Sequence, residues 1–208
     1  MTTRAGLNFE KVVSTAIRLA DKDGLENLTL GRIANEFGVK PPSLYEHVDG
    51  LDGLQHAIRL QGFYALNDIL RRATVGKSQD EAIRSLAFEM RKFAHQHPAL
   101  YESTVITAVG DSKEIGEAAE EVLKTLNAIL AGYAITGKEA IHAARYLRSL
   151  LHGFVSLERA RGFGINVDLE ESYHRLVGIL AQDLQQWKLR RPQSDSVRSQ
   201  IGSKKRVR

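Results

Sequence analysis

Apolar side chains recur with helical spacing along nearly the whole chain. The first stripe follows Asn8, which stands in an N-cap position, and Asp23-Gly24 ends it. Its apolar members are Phe9, Val12, Val13, Ala16, Ile17, Leu19 and Ala20. No run alternates with the two-residue period of a strand for long enough to compete, so the pattern predicts an all-α fold.

Two short helices are predicted after the first one. Thr29 is a good N-cap for the first of them, and Gly38 stops it. Pro41 and Pro42 suit the first turn of the second, where a missing amide hydrogen costs little, and this helix is predicted to run to Val48. Both helices are short enough to pack across the first one.

Longer helices are predicted beyond Asp49-Gly50, which breaks the pattern again. Their predicted limits are Leu51–Ala73, Asp80–His97, Pro98–Val105, Glu114–Ala131, Lys138–Arg161 and Leu169–Leu189, with connections at Val75–Ser78 and Gly110–Ser112. The final nineteen residues are rich in Ser, Arg and Lys, a composition that predicts disorder.

Composition excludes several classes of protein. The chain has no cysteine, which excludes disulfides, thiolate metal sites and cysteine nucleophiles. The longest charge-free apolar stretch, Thr125–Gly137, is too short for a membrane span, and Met1–Glu10 has no signal core. His95 and His97 do not share a helix face, so no metal is expected. We expect a cytoplasmic protein with no membrane partner and no cofactor.

The net charge of +4 is concentrated at one end of the chain. The last nineteen residues carry seven basic side chains against Asp195, a local charge of +6, which leaves −2 for the remainder. Residues 1–48 hold six basic and six acidic side chains and are formally neutral. The broad basic face that is the simplest sign of nucleic-acid binding is therefore absent there, and any such function must rest on pattern.

The segment Thr29–Val48 carries the most specific pattern in the chain. Ala34 is small enough for two helices to cross closely, and Gly38 allows the tight turn between them. Packing of Ile33, Phe37, Val39, Leu44 and Val48 against the first helix leaves a polar outer surface of Lys40, Ser43, Tyr45, Glu46 and His47. A helix with such a surface fits the major groove of DNA. The alternative is an ordinary pair of bundle helices, since Ala-x-x-x-Gly also arises by chance.

At these residues the chain resembles the TetR (tetracycline-repressor-like) family of regulators. The likeness over Phe9–Leu54 is carried by Ala16, Gly24, Leu28-Thr29, Ile33-Ala34, Gly38-Val39, Ser43-Leu44-Tyr45 and His47. Farther along, His97–Tyr101, Leu151–Phe154 and Leu157-Glu158 resemble the C-terminal variant often called the WHG type. The resemblance covers about residues 5–189.

The resemblance implies a homodimeric regulator of transcription with three parts. A three-helix helix-turn-helix domain (residues 1–50) would bind double-stranded DNA at a pseudo-palindromic operator. A helical domain (residues 51–189) would dimerise and hold a small-molecule effector, and a basic tail (residues 190–208) would follow. Repression is the family default, with the effector releasing the protein from its operator.

The resemblance also implies the residues that contact DNA. Thr29 would cap the second helix near a phosphate, and the remainder would meet backbone and bases. The full set is Thr29, Arg32, Lys40, Pro41, Pro42, Ser43, Tyr45 and His47. For each of them an ordinary solvated surface position is the alternative.

Three departures from the family pattern concern this surface. Lys40 stands where Ser or Thr is common, which removes a helix cap and adds a cation that favours phosphate. Glu46 would lie close to DNA, where it either repels phosphate or accepts a hydrogen bond from a cytosine amine. Leu51, flanked by Asp49 and Asp52, replaces a common Lys, so a phosphate contact is missing.

Two sets of residues are predicted in the C-terminal half. The last two helices carry more apolar surface than one bundle face needs, and Gly153 and Gly178 permit close approach, so dimerisation is expected at Leu147, Leu151, Gly153, Val155, Val177, Leu180 and Leu184. An effector is expected at Phe88, Arg91, Tyr101, Thr104, Tyr146, Leu150 and Phe154. Helix packing inside a single chain and an ordinary aromatic core are the respective alternatives.

Two other functions compete with a regulator. A helical enzyme is one, although the chain shows no Glu-x-x-His pair, Gly-rich phosphate loop or Ser-centred elbow, and no catalytic residue is expected. A protein-interaction module is the other. The basic tail is either a solvated end or a non-specific tether to DNA.

Overall fold

The computed structural model describes residues 6–105 and 112–190, and all regular secondary structure in this part of the chain is helical. Its α-helices are α1 (Phe9–Asp23), α2 (Leu30–Phe37), α3 (Gly50–Thr74), α4 (Gln79–Gln96), α5 (Pro98–Ser103), α6 (Lys113–Ala131), α7 (Gly137–Arg159) and α8 (Leu169–Gln185). Short 3-10 turns occupy Leu25–Asn27, Pro41–Leu44 and Trp187–Arg190. The predicted all-α fold is confirmed. Gly110 and Asp111 of the predicted turn, and the tail from residue 191, lie outside the described residues.

Caps at the predicted positions define the first two helices. The Oδ1 atom of Asn8 accepts a hydrogen bond from the Lys11 amide at 2.9 Å, and the Oγ1 atom of Thr29 accepts one from the Arg32 amide at 3.2 Å. Helix α2 ends at Gly38, whose φ of 64° lies in the left-handed region that favours glycine. Local sequence thus sets both ends of α2.

The prediction of a third helix from Pro41 to Val48 is wrong about the type and length of the helix. Only Pro41–Leu44 is helical, as a 3-10 turn, and turns continue to Val48. Ser43 donates to the Lys40 carbonyl at 3.0 Å, and Tyr45 donates to the Pro42 carbonyl at 3.3 Å, both across three residues. The segment is short, and 3-10 runs of three or four residues are common as connectors between helices.

The helices enclose two hydrophobic cores. The N-terminal core is formed mainly by α1, α2, the Pro41–Leu44 turn and the first half of α3. Its fully buried side chains include Val12, Val13, Ala16, Ile33, Ala34, Leu44, Leu54 and Ile58. The C-terminal core is formed by the second half of α3 with α4, α6, α7 and α8. Helix α3 therefore contributes to both cores, and it links them as a single continuous helix.

Helix α5 lies closely against α3 at Gly62. A Cβ atom at this position would stand 2.6 Å from the Leu100 carbonyl oxygen and 2.5 Å from the Ser103 hydroxyl. Only a residue without a side chain permits that approach. As a result, Leu100 and Tyr101 of α5 are buried in the N-terminal core.

No helix within residues 6–105 and 112–190 is long and apolar enough to cross a membrane.

Candidate nucleic-acid interface

The segment Lys40–His47 forms an exposed polar surface over the N-terminal core, and we call it the recognition segment. Leu44 is fully buried beneath it, which fixes the turn to α1 and α2. Tyr45, directly after Leu44, is 62% exposed, and His47 is half-buried. The remaining exposed positions are Lys40, Pro41, Pro42, Ser43 and Glu46. Backbone turns thus present the side chains that the sequence predicted for DNA contact on one outer surface.

The Arg32 side chain, which was expected to reach a phosphate, is instead bonded within the N-terminal helices. Its guanidinium forms an ion pair with Asp23 at the end of α1 and donates to the Asn27 carbonyl at 2.9 Å. These bonds join α2 to the segment that precedes it. Arg32 therefore joins the N-terminal helices to each other, while 40% of its side chain remains exposed.

Thr29 stands next to this network at the start of α2. Its backbone is extended and its side chain is exposed, with the hydroxyl oxygen occupied by the Arg32 amide. Because the oxygen accepts this bond, the Thr29 hydroxyl keeps its own hydrogen as a donor.

Acidic side chains lie within and just beyond the end of the recognition segment. Glu46, Asp49 and Asp52 are exposed, whereas Leu51 is half-buried against the N-terminal core. Leu51 thus adds apolar packing at a position where the family pattern has a cation. This surface therefore presents hydrogen-bonding groups without an excess of positive charge.

The residues predicted for an effector fall into three separate contact groups. In the first, the Arg91 guanidinium donates two hydrogen bonds to Glu158, at 2.9 and 2.6 Å, and one to Glu170 at 2.6 Å. It also lies 4.6 Å from the centre of the Tyr173 ring. The hydrogen bond with Glu158 is the main reason that the pKa of Arg91 is raised and the pKa of Glu158 is lowered.

Phe88 and Phe154 complete this first group by packing on the same ring. The ring centres lie 5.3 and 5.0 Å from that of Tyr173. The group is a filled aromatic and ionic cluster.

Tyr101 and His152 form the second group. The Tyr101 Oη and His152 Nδ1 atoms are 2.8 Å apart, and the Thr104 hydroxyl donates to the Tyr101 carbonyl at 2.7 Å. Burial raises the pKa of Tyr101 to about 12 and, together with the charges of Arg148 and Arg159, lowers the pKa of His152. Both pKa shifts favour the uncharged forms of the two side chains.

Tyr146 and Leu150 belong to a third group between α7 and α8. The Tyr146 hydroxyl donates to Asp183, and its ring lies 5.5 Å from that of Trp187. Leu150 is half-buried against the C-terminal core. None of the seven predicted effector residues lines the open groove of about 510 Å³ that the structure shows between the end of α1 and helices α4, α5 and α7. The contacts therefore support three structural clusters rather than one open pocket.

The residues predicted for dimerisation require correction. Six of the seven are buried within a single chain: Leu147, Leu151, Val155, Val177, Leu180 and Leu184. A side chain with no exposed surface has none left to bury against a second copy. Only Gly153 is partly exposed.

The outer face of α7 and α8 carries apolar residues that the sequence reasoning missed. Leu157 and Ile179 are 52% and 58% exposed, and half-buried Leu150, Gly153 and Leu176 lie on the same sides of their helices. We call these five residues the outer α7/α8 face. The signal was present in the sequence as a second apolar stripe, displaced around each helix from the buried one.

Comparison with known proteins places the chain among transcriptional regulators. A model described as the tetracyclin repressor-like C-terminal domain matches residues 83–180. The HTH-type transcriptional regulator Rv0681 of Mycobacterium tuberculosis is 33% identical over 182 residues, which cover 87% of this chain and 83% of that protein. The HTH-type regulator YobS of Bacillus subtilis is 34% identical over 83% of this chain and 90% of its own.

A solved structure agrees with these sequence matches at the level of fold. The transcriptional regulator SCO7222, a TetR from Streptomyces coelicolor, superposes with a TM-score of 0.62 over 89% of this chain and 100% of its own. At 17% sequence identity this likeness shows the shared fold alone.

Proposed function

Because this chain belongs to the TetR family of HTH-type transcriptional regulators, we propose that it is a dimeric repressor that a small molecule releases from its operator. Family membership makes it a transcriptional regulator and not an enzyme. We further propose the division into a DNA-binding domain (residues 1–50), an effector and dimerisation domain (residues 51–189) and a basic tail (residues 190–208). The C-terminal domain would be of the WHG variant. The two segments that resemble this variant, His97–Tyr101 and Leu151–Phe154, meet at the Tyr101–His152 hydrogen bond.

The recognition segment is the observation that carries this proposal. A large aromatic side chain, Tyr45, is 62% exposed directly beside the fully buried Leu44. An exposed tyrosine at this place offers a partner both an apolar ring and a hydroxyl group that can form a hydrogen bond. With Lys40, Ser43 and His47 beside it, the surface offers donors to phosphate and base edges in a major groove.

Dimerisation is proposed through the outer α7/α8 face. Its apolar side chains would pack against the same face of a second copy and form a four-helix interface about a two-fold axis. A two-fold dimer presents two recognition segments, which explains why the operator is expected to be pseudo-palindromic. The corrected surface replaces the buried residues that were predicted for this role.

Effector binding is proposed within the C-terminal domain, at or between the three contact groups. Since their polar groups are already hydrogen-bonded to one another, an effector would have to replace some of these bonds. A small molecule acts on operator affinity only to the extent that it binds one arrangement better than another. An effector that replaced the Tyr101–His152 or the Arg91–Glu158 hydrogen bonds would bind the two arrangements with different affinity.

Selection of bound duplexes from random-sequence DNA, followed by gel-shift titration, tests the proposal. The selected sites should contain inverted half-sites, and Tyr45→Ala should weaken binding by about tenfold or more, the usual effect of losing a base contact. Tyr64→Ala is the matched control, because Tyr64 on α3 is 58% exposed and lies outside the recognition segment. Equal binding by Tyr45→Ala and the wild type would refute the assigned surface.

A further inference from the structure

Helix α5 receives its N-terminal cap from α1. The Oδ1 atom of Asp21 accepts a hydrogen bond from the Ala99 amide at 2.8 Å, although the two residues are 78 positions apart. His97, the residue at the start of α5, provides no side-chain cap of its own, and Pro98 has no amide hydrogen. Asp21 thus satisfies the first amide donor of α5 with a carboxylate, which also suits the helix dipole.

Apolar packing reinforces this link between α5 and the N-terminal helices. The close approach at Gly62 fits α5 to α3, and Leu100 and Tyr101 are buried in the N-terminal core. Helix α5 is therefore held against the elements that carry the recognition segment, by one hydrogen bond and by close packing.

Three polar contacts hold α5 to α7. Tyr101 hydrogen-bonds His152, Glu102 forms an ion pair with Arg159 at 2.7 Å, and the Arg148 guanidinium donates to the Val105 carbonyl just beyond α5. They extend from residue 148 to residue 159, about three turns of α7. A change in the position of α7 would be transmitted to α5 through these bonds.

We propose that Asp21 is a positioning residue for operator binding, because its cap makes α5 and the N-terminal helices move together. A displacement of α5 set by α7 then changes the orientation of the recognition segment. Without the cap, α5 keeps its apolar packing but loses the polar bond that fixes it to α1, so a displacement of α5 moves α1 less. The proposal rests on the proposed function, since it assigns to Asp21 a role in how operator affinity responds to the C-terminal domain.

A double-mutant cycle tests this coupling in the full-length protein. Tyr101→Phe removes the hydroxyl that reaches His152 and keeps the ring, whereas Asp21→Ala removes the cap. With duplexes selected from random-sequence DNA, Tyr101→Phe should change operator affinity by about fivefold or more, at the lower end of measured allosteric couplings. In the Asp21→Ala background, Tyr101→Phe should change operator affinity by no more than about twofold. If the effects of the two mutations on operator affinity were additive, the proposal would be overturned.

Two further variants separate coupling from simple loss of stability. Asp21→Asn keeps an oxygen that accepts from the Ala99 amide, so it should restore the response to Tyr101→Phe. Asp68→Asn removes the same charge from an exposed pair with Arg72 and should leave the response unchanged. Asp21→Ala alone should lower the melting temperature by roughly 2–4 °C, the shift expected when a protein of this size loses one cap.

Hydrogen exchange distinguishes failure of this proposal from failure of the proposed function. Tyr101→Phe should change the exchange rates of the α2 amides in the wild-type background and not with Asp21→Ala. If no selected DNA binds to the wild type, the proposed function fails, while the exchange result still decides the role of Asp21. The same exchange response in both backgrounds would refute that role.

Discussion

The recognition segment and the predicted effector groups differ in how their polar side chains are used. Tyr45 and Lys40 point outward above a buried leucine, so these polar groups remain free for an external partner. Arg91 and Tyr101 are instead bonded to Glu158 and His152 within the chain. The polar groups of the N-terminal surface are exposed, whereas those of the C-terminal groups are engaged in internal bonds. A regulated DNA-binding protein needs both arrangements, one for constant recognition and one for response.

The largest expected effect separates buried from exposed residues on α8. Leu180→Ala should lower the free energy of unfolding by about 2–5 kcal/mol, because it leaves a cavity in the C-terminal core. Ile179→Ala, its exposed neighbour, should cost less than about 1 kcal/mol in the monomer and should weaken dimerisation. Urea denaturation and sedimentation equilibrium measure the two effects. If Leu180→Ala weakened the dimer while leaving the fold intact, the corrected interface would be wrong.

The next effect concerns the internal ion pairs. Glu158→Ala should lower the free energy of unfolding by about 2 kcal/mol, since Arg91 would lose its main partner in a site where only 13% of its side chain is exposed. Glu171→Ala, which removes an exposed pair with Arg175, should cost less than about 0.5 kcal/mol. Thermal unfolding compares the two variants. Similar losses would mean that the Arg91 cluster contributes no more than a surface pair.

A smaller effect separates packing from phosphate contact in the N-terminal helices. Arg32→Ala should cost about 0.5–1 kcal/mol of stability and leave the dependence of operator affinity on salt unchanged. Lys40→Ala should have little effect on stability and reduce that salt slope by about one. Binding titrations at several salt concentrations check both. A reduced slope for Arg32→Ala would restore the phosphate contact that the sequence predicts.

The smallest effect is a pH dependence from the Tyr101–His152 bond. The pKa of His152 is lowered in the folded protein, so the unfolded chain takes up a proton more readily. The stability from this group is complete above its ordinary pKa of 6.5 and is lost as the pH falls toward the lower folded value. Between pH 7 and 5, His152→Gln should therefore lose less stability than the wild type. His142→Gln, at an exposed position on the same helix, should follow the wild-type curve.

The fold could be predicted from sequence to the extent that it depends on local signals. Helical periodicity gave the limits of the long helices within a few residues, and the caps at Asn8 and Thr29 lie where they were expected. The Pro41–Val48 segment was assigned the wrong kind of helix, because amphipathic spacing does not distinguish an α-helix from a series of 3-10 bonds over so few residues.

Contacts in the C-terminal half were harder to predict for a physical reason. An apolar stripe shows that a helix face is covered, but not whether the cover is the same chain or a second copy. For this reason Leu180, which is buried, was predicted at the interface, whereas its exposed neighbour Ile179 was not. The Arg91–Glu158 bonds join positions 67 residues apart and leave no periodic signal at all.

The contact between Trp187 and Tyr146 gives the molecule an internal optical reporter. Trp187 is the sole tryptophan in the chain, and its indole Nε1 donates to Glu139 of α7 at 3.0 Å. Because tyrosine transfers excitation energy to a nearby indole, emission from this one ring reports on the junction between α7 and α8. Its wavelength and polarisation can follow the approach of a second copy, or the shift of α8 against α7, without any attached dye.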